Sequence, residues 1–153
     1  MNKIKAIFFD IDGTLIPFGR KEMSKETIDA LNMLKEKGVK IFVASGRGIL
    51  EQGVVTKDVA FDGYITLNGQ ICLDKDYNLY HGNSIHPEDF EVLHQVFQNK
   101  ELPAVLIEEK RAYINYVDEF AEKIHKEIGI KASPIDVYKG DKVYQMILYA
   151  DTA

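Results

Sequence analysis

The sequence predicts an α/β protein in which a parallel sheet forms the core and a second α/β unit follows it. Short apolar runs rich in strand-forming residues recur along the chain, and a helix with regular apolar spacing lies between the first two. The composition agrees, because 46% hydrophobic and 28% charged residues are typical of a globular protein with a packed core. A chain of 153 residues fits one domain with a small appendage.

The first half of the chain carries a strand, a helix and two further strands. Residues 4–9 form a short apolar run and are predicted to be a buried parallel strand. Ser24 can cap a helix whose apolar positions recur at helical spacing up to Gly38. Residues 39–44 and 63–67 are the next apolar runs, so the order predicts a right-handed parallel β-α-β unit.

The second half changes pattern after a predicted β-hairpin made of residues 71–73 and 79–81. A boundary is expected near Gly82, which divides the chain into a core at residues 1–81 and a second unit at residues 82–153. The second unit is predicted to contain helices at residues 87–98 and 118–128 and strands at residues 104–108, 112–116 and 143–150. The run Glu108-Glu109-Lys110-Arg111 is predicted to be a solvated hairpin turn.

Charge and composition exclude several classes of function. Nineteen basic and 24 acidic residues give a net charge of −5, which argues against a nucleic-acid partner, since such binding depends on clustered Lys and Arg. The single cysteine, Cys72, allows neither an internal disulfide nor a multi-cysteine zinc site and fits a reducing compartment. The apolar runs are too short to cross a bilayer. We therefore expect a cytoplasmic protein without a membrane or nucleic-acid partner.

The strongest motif is Asp10-Ile11-Asp12-Gly13-Thr14, directly after the first predicted strand. Ligands of open α/β sheets bind beyond the carboxyl ends of the strands, and a chain that turns at Gly13 can direct both carboxylates to one pocket. One carboxylate can then attack an electrophile or bind a cation, while the other exchanges protons, and an oxygen-only ligand set suits Mg²⁺. The alternative is structural: Asp12-Gly13 forms a turn and Asp10 caps the strand.

A second motif, Ser45-Gly46-Arg47, follows the second predicted strand. A hydroxyl at a strand end, followed by glycine and the start of a helix, can bind an anionic oxygen through side-chain O–H and backbone N–H groups, and phosphate is the natural ligand. Taken alone, Ser45-Gly46 is more typical of an ordinary turn, and its functional interpretation depends on its position beside the Asp10 strand. The glycines here lack the spacing of dinucleotide-binding and P-loop motifs, so both of those functions are excluded.

With these motifs in place, the chain resembles the haloacid dehalogenase-like (HAD) superfamily of phosphatases, and within it the Cof-type branch with an α/β cap. The resemblance implies a Rossmann-like parallel sheet core, here incomplete, and a partial α/β cap. It implies that Asp10 is the nucleophile that forms an aspartyl-phosphate and that Asp12 is the general acid and base. Both would help to bind Mg²⁺, Asp12 through its backbone carbonyl. The substrate would be a small phosphate monoester such as a sugar phosphate.

The resemblance also assigns roles in binding phosphate or substrate. Thr14 would orient the nucleophile's loop, Ser45 would bind a phosphoryl oxygen, and Arg47 would reach the substrate or brace the cap, although an exposed surface arginine is an equal alternative. Residues 61–66 with Asn68-Gly69 resemble the third Cof-type strand and its turn toward the cap. The implied phosphate- and substrate-binding set is Gly13, Thr14, Ser45, Gly46, Arg47 and Asn68.

Other features of the family have no match in this sequence. The family carries a lysine and further Mg²⁺-binding acids on core strands after the cap, and this sequence has neither. We therefore expect a phosphatase truncated within its cap, with the Asp10 strand left as an open sheet edge that favours self-association. The alternative function is a non-catalytic module that binds a phosphorylated metabolite, or a phospho-accepting domain.

Overall fold

The computed structural model describes residues 3–49 and 57–151. The chain divides into two compact units, Met1–Asn83 (unit 1) and Ser84–Ala153 (unit 2). Unit 1 contains a five-stranded sheet and unit 2 a three-stranded sheet, so both are α/β structures. This architecture confirms the predicted fold class. That the units act as a catalytic core and a cap stays a prediction.

Unit 1 is built on a mixed sheet whose strands follow one another in space as they do in sequence. The first three strands are parallel, and the last two form the predicted hairpin and run antiparallel. A short 3-10 helix at Leu67–Gly69 connects the parallel part to the hairpin. The strands are β1 (Ala6–Phe9), β2 (Lys40–Ala44), β3 (Gly63–Thr66), β4 (Ile71–Asp74) and β5 (Leu79–Gly82).

Helix α1 (Lys25–Glu36) connects β1 to β2, as the apolar spacing predicted. It begins at Ser24, whose side-chain oxygen accepts a hydrogen bond from the backbone N–H of Thr27 at 3.2 Å. It ends before Gly38, which has a φ of 74°, in the left-handed region that glycine adopts without strain. The helix contacts β2, the strand whose Ile41 and Val43 are fully buried.

Strand β1 has the open-edge position that was expected for the Asp10 strand, but it lacks the burial that its apolar run predicted. It lies at the edge of the sheet, with β2 as its neighbour, and Phe8 is 56% exposed although its ring stacks on Phe42. An edge strand has unpaired backbone groups and less cover from side chains, whatever its apolar content. The run of residues 4–9 therefore predicted the strand correctly but its burial wrongly.

Unit 2 consists of an antiparallel sheet and two described helices. The strands are β6 (Ala104–Glu108), β7 (Ala112–Ile114) and β8 (Val143–Leu148), with β6 in the centre. The helices are α2 (Pro87–Gln98), which has Pro87 in its first turn, and α3 (Glu119–Ile128), which Asp118 caps through the backbone N–H of Ala121. Phe97, Leu106, Tyr113 and Val143 form its apolar core with Ala104.

The hairpin turn between β6 and β7 is solvated only in part: Lys110 is exposed as its charge predicted, but Glu108 is buried. Glu108 is 5% exposed and accepts hydrogen bonds from the Arg111 guanidinium and, at 2.6 Å, from the Tyr113 hydroxyl. The hydrogen bond to Glu108 raises the pKa of Arg111. Burial, together with the hydrogen bond to Glu108, raises the pKa of Tyr113. The acid is thus a buried, fully partnered group of unit 2.

Over residues 3–49 and 57–151, none of the helices is both long and apolar enough to span a membrane.

Candidate active site

Three polar loops of unit 1 meet where its parallel strands end. Asp10 directly follows β1, Ser45 directly follows β2, and Asn68 lies just after β3. Parallel strands bring their carboxyl ends to the same edge of a sheet, which is where open α/β sheets bind ligands. A shallow pocket of about 350 Å³ lies there, lined by Asp10, Ala44, Ser45, Gly46, Ile65, Asn68 and Gly69.

The loop after β2 is fixed to the turn after β3 by backbone hydrogen bonds. The N–H of Ser45 donates to the carbonyl of Ile65 at 3.0 Å, and the N–H of Asn68 donates to the carbonyl of Ser45 at 3.2 Å. A further bond joins the N–H of Leu67 to the carbonyl of Arg47 at 3.2 Å. These bonds hold the two loops together before any ligand is bound, which reduces the entropy cost of binding.

The turn after β3 has an unusual backbone that places Asn68 in the pocket. Leu67 and Asn68 have φ values of 49° and 55°, in the left-handed region that side chains other than Asn and Asp rarely adopt. The carboxamide of Asn68 packs against Gly46, where an added Cβ would lie 3.0 Å from Asn68 Oδ1. Gly46 therefore leaves room for the Asn68 side chain beside the pocket.

Ser45 is the least exposed polar residue of the pocket, at 7%. Its Oγ accepts a hydrogen bond from the backbone N–H of Arg47 at 3.2 Å. A hydroxyl that accepts one bond still has its hydrogen to donate, and a buried hydroxyl benefits from a partner. Ser45 is thus suited to donate a hydrogen bond to an anionic oxygen in the pocket.

The loop that carries Asp10 and Asp12 is anchored by apolar residues and turns at Gly13. Ile11, Leu15 and Ile16 are buried, and the N–H of Ile16 donates to the carbonyl of Ile11 at 2.9 Å. Gly13 has a φ of 81°, which favours glycine at this turn. With these anchors inside, the loop leaves Asp10, Asp12, Gly13 and Thr14 exposed to solvent.

Asp12 is paired with Arg47. Arg47 Nε donates to Asp12 Oδ2 at 2.9 Å and Arg47 Nη2 donates to Asp12 Oδ1 at 2.6 Å, a two-pronged pair of guanidinium and carboxylate. The hydrogen bond from Arg47 lowers the pKa of the Asp12 carboxyl below its ordinary value. Over the described residues, Asp10, Ser45, Gly46 and Asn68 line the pocket, whereas Asp12, Gly13, Thr14 and Arg47 of the predicted set do not.

The oxygen atoms of the loop after β1 are suitable ligands for a hard cation, but they do not form a complete binding site. Over the part of the chain that the structure describes, no three His, Cys, Asp or Glu side chains cluster as metal ligands. The Asp10 carboxylate and the backbone carbonyl of Asp12 are oxygen ligands of the kind that Mg²⁺ prefers, and Mg²⁺ usually keeps several water ligands. These two groups therefore fit part of a Mg²⁺ site.

Two features of this site were missing from the sequence analysis. Gly69 lines the pocket, with a φ of 99°, and the Asn-Gly pair was the signal that could have included it. The pairing of Arg47 with Asp12 joins two motifs 35 residues apart, and no local pattern reveals such a contact.

Comparisons with known proteins identify several relatives of this chain. YkrA of Bacillus subtilis (strain 168), provisionally named a phosphatase, is 25% identical over 152 residues, which are 95% of this chain and 57% of YkrA. A hypothetical protein from Geobacillus kaustophilus HTA426 superposes with a TM-score of 0.84 at 25% identity, over 95% of this chain and 57% of that one. The HAD subclass IIB sugar phosphatase BT4131 superposes with a TM-score of 0.67 at 28% identity, over 93% and 57%.

The chain thus spans 57% of the length of each of these three proteins, in agreement with the expectation of an incomplete chain. The sequence profile of the haloacid dehalogenase-like hydrolases matches residues 7–153, which is nearly all of this chain. The protein belongs to the haloacid dehalogenase-like hydrolase family.

Proposed function

We propose that this chain carries the nucleophile and phosphate-binding part of a Mg²⁺-dependent phosphatase for small phosphate monoesters. The observation that carries the proposal is the pocket that Asp10 lines together with Ser45, Gly46 and Asn68. Family membership supports hydrolase chemistry, and BT4131, a structural relative, is described as a sugar phosphatase. A phosphorylated sugar or another small phosphorylated metabolite is therefore the substrate class that we propose.

In the proposed reaction, Asp10 Oδ attacks the phosphorus atom and the bond from phosphorus to the ester oxygen breaks. The departing oxygen takes a proton from Asp12 and leaves as the alcohol. A water molecule then attacks the phosphorus of the aspartyl-phosphate and gives its proton to Asp12. Inorganic phosphate leaves, and both carboxyl groups return to their starting states.

The other pocket residues would hold the phosphoryl group. Ser45 would donate its hydroxyl hydrogen, Gly46 its backbone N–H, and Asn68 its carboxamide N–H to the phosphoryl oxygens, while Gly13 and Thr14 shape the loop of the nucleophile. Mg²⁺, held by Asp10 and the Asp12 carbonyl, would neutralise charge on the phosphoryl oxygens.

A second candidate function is a non-catalytic module that binds a phosphorylated metabolite or accepts a phosphoryl group. Two observations favour it: the Asp12 side chain is paired with Arg47 instead of lining the pocket, and no lysine is among the described lining residues. Without a lysine in the pocket to help offset the approach of two anions, the first step has a higher barrier. The whole phosphatase activity would then need the part that the longer relatives contain.

The test measures phosphate release from p-nitrophenyl phosphate with and without Mg²⁺. It compares the wild-type chain, Asp10→Asn, and Asp29→Asn, which changes an exposed acid of α1 as a matched control. Turnover that needs Mg²⁺, survives in Asp29→Asn and disappears in Asp10→Asn supports the phosphatase. A folded chain that binds phosphate without turnover, or whose mass shows a stable phosphoryl group at Asp10, supports the second candidate. A chain that neither binds nor releases phosphate contradicts both.

We also propose that the protein works in the cytoplasm and self-associates through the open edge of β1. The free thiol of Cys72 and the exposed edge with Phe8 support these two points. Analytical ultracentrifugation tests the association, which Phe8→Lys should weaken by placing a charge beside the edge. A monodisperse wild-type monomer contradicts it.

A further inference from the structure

Unit 1 has a further cavity at the opposite edge of its sheet from the candidate active site. It lies at the amino end of β3, where Phe61 is, whereas Asn68 and the candidate active site lie at the carboxyl end of that strand. Its volume is about 450 Å³, within the range of sites for small ligands. Three lysines and three aromatic residues are among those that line it: Lys35, Lys57, Lys75, Phe61, Tyr64 and Tyr77. The cavity therefore combines an aromatic surface with positively charged groups.

The aromatic residues form a floor that is partly open at Tyr77. Phe61 and Tyr64 are buried, and the Tyr77 ring stacks on the Tyr64 ring with 4.6 Å between the ring centres and 13° between the ring planes. Tyr77 itself is 39% exposed. Because Tyr64 covers only one face of the Tyr77 ring, a planar ligand can stack on the part that stays exposed.

The backbone of Tyr77 is in an unusual conformation. Its φ is 63°, in the left-handed region that aromatic residues rarely adopt and that glycine or asparagine adopts more easily. The turn is held by Asp74, whose Oδ1 accepts hydrogen bonds from the N–H groups of Asp76 at 2.8 Å and Asn78 at 2.9 Å. These bonds do not use the Tyr77 side chain, so the turn itself does not require an aromatic ring. The contribution of the ring is to the cavity.

Two of the three lysines are paired with acids. Lys57 Nζ lies 2.9 Å from Glu22 Oε1, and Lys75 Nζ lies 2.7 Å from Asp76 Oδ2. All four side chains are more than half exposed, so water competes for both pairs. Each pair is neutral as a whole, and neither adds net charge to the cavity.

The third lysine, Lys35, gives the cavity its net positive charge. Lys35 Nζ donates a hydrogen bond to the backbone carbonyl of Ala60, and among the described residues it forms no ion pair. The remaining acid that lines the cavity, Asp62, is paired with Lys40 at 2.7 Å. Since a carbonyl is neutral, the Lys35 ammonium keeps one uncompensated positive charge and has two further N–H groups to donate.

We propose that this cavity is a binding site for a small aromatic carboxylate. The ring of the ligand stacks on Tyr77, and its carboxylate accepts hydrogen bonds from the Lys35 ammonium. One uncompensated positive charge matches the single negative charge of a carboxylate, whereas a phosphate monoester carries about 1.5–2 negative charges at pH 7. Among the described residues, none lines both this cavity and the pocket that Asp10 lines, so the site is independent of the proposed phosphatase.

Nuclear magnetic resonance of the full chain tests the site, with 2-naphthoate as the probe. We expect the backbone amide signals of Lys75 and Tyr77 to shift with one dissociation constant, while the Gly46 amide of the candidate active site stays in place. Acetate has no ring, and 2-naphthol is uncharged at neutral pH. Each should bind at least about fivefold more weakly than 2-naphthoate, because each lacks one of the two contacts.

Two substitutions remove the two contacts separately. Tyr77→Asn removes the ring, fits the left-handed backbone and should weaken binding of 2-naphthoate by about tenfold. Lys35→Gln removes the charge and should weaken binding by about fivefold. The matched controls, Tyr80→Asn and Lys37→Gln, change exposed residues of the same types that do not line the cavity. They should leave the dissociation constant unchanged.

A saturable shift that Tyr77→Asn and Lys35→Gln weaken and both controls preserve supports the proposal. The site is wrong if the Lys75 and Tyr77 amides do not shift up to the solubility limit of 2-naphthoate, or if Tyr77→Asn binds it as well as the wild-type chain. Equal binding of 2-naphthol, or an unchanged dissociation constant in Lys35→Gln, shows no selectivity for an anion and also overturns the proposal. If loss of the Lys35 bond unfolds the chain, Tyr77→Asn and the comparison with 2-naphthol still decide.

Discussion

Each unit of this protein contains a two-pronged pair of arginine and carboxylate, and the two pairs differ in burial. In unit 1, Arg47 binds Asp12, whose side chain is 48% exposed. In unit 2, Arg111 binds Glu108, whose side chain is 4% exposed. The chemistry is the same, so the difference in surroundings decides what each pair does. An exposed pair can exchange its partner, whereas a buried pair must keep it.

The buried pair has additional partners. The Tyr113 hydroxyl donates to Glu108 Oε1 at 2.6 Å, and the Arg111 guanidinium lies 4.6 Å from the centre of the Tyr113 ring. Asp136 and Asp141 also lie within 3.6 Å of Arg111. Each polar group in this cluster is therefore satisfied inside unit 2. The cluster is structural, while the groups of the unit 1 pocket remain open to a ligand.

The largest expected effect comes from removal of the buried acid. Glu108→Ala leaves the Arg111 guanidinium and the Tyr113 hydroxyl without their main partner, and breaking a buried pair in this way costs about 3–5 kcal/mol. We expect that loss in the free energy of unfolding of unit 2. Unfolding in urea, followed by tyrosine fluorescence, measures it, since five of the eight tyrosines belong to unit 2.

The neighbouring residue provides the control. Glu109→Ala removes an acid from the same hairpin turn. The ion pair of Glu109 with Lys110 is long, at 3.6 Å between Oε1 and Nζ. We expect a change below about 0.5 kcal/mol, as for most exposed pairs. Equal losses in Glu108→Ala and Glu109→Ala would show that burial does not separate the two kinds of charge, and the comparison between the units would fail.

A second prediction compares a buried asparagine of unit 2 with an asparagine that lines the pocket of unit 1. Asn115 is 4% exposed, and its carboxamide donates to the carbonyls of Phe97 and Leu102 and accepts from the N–H groups of Ala104 and Tyr116. Asn115→Ala should therefore destabilise unit 2 by about 2–3 kcal/mol, because buried backbone groups lose their partners. Urea unfolding measures this loss.

Asn68 is the matched residue of unit 1, where it lines the pocket. Asn68→Gly removes the carboxamide and keeps the left-handed backbone accessible, so the free energy of unfolding should change by less than about 0.5 kcal/mol. Phosphate binding should weaken instead. A large loss of stability without loss of binding would reverse the roles that we assign to the two asparagines.

The sequence predicted the secondary structure well, because most elements have strong local signals. Apolar periodicity located α1 and α2, the Ser24 cap located the start of α1, and the order of elements predicted the parallel sheet. Burial was less predictable. Phe8 lies in an apolar run and is exposed, whereas Glu108 lies in a charged run and is buried. Burial depends on neighbours that are distant in sequence, and local composition does not contain them.

The sequence predicted those residues of the candidate site that come directly after a strand. Asp10 and Ser45 directly follow β1 and β2, and parallel strands bring such residues together. The orientation of a long side chain does not follow from this rule. Arg47 was expected at the substrate or the cap and binds Asp12, because side-chain direction is decided by local contacts that topology leaves open.

The smallest expected effect is the pH dependence of the exposed pair. The hydrogen bond from Arg47 lowers the pKa of Asp12 in the folded chain relative to the unfolded chain. A carboxyl with a lowered folded pKa adds stability above its unfolded pKa, near 4, and that stability is lost as the pH falls through the folded pKa. Since Asp12 is half exposed, solvent screening limits the contribution to about 0.5 kcal/mol.

Urea unfolding of unit 1 is measured between pH 5 and pH 2, with a chelator present to remove metal ions. The contribution of Asp12 is the difference in the free energy of unfolding between the wild-type chain and Asp12→Asn. The other acids cancel in that difference. In an Arg47→Ala background, Asp12→Asn should cost much less than it does in the wild-type chain, because the interaction between the two side chains is already gone. A contribution as large as that of Glu108 would mean that the Arg47 and Asp12 side chains are held as firmly as a buried pair.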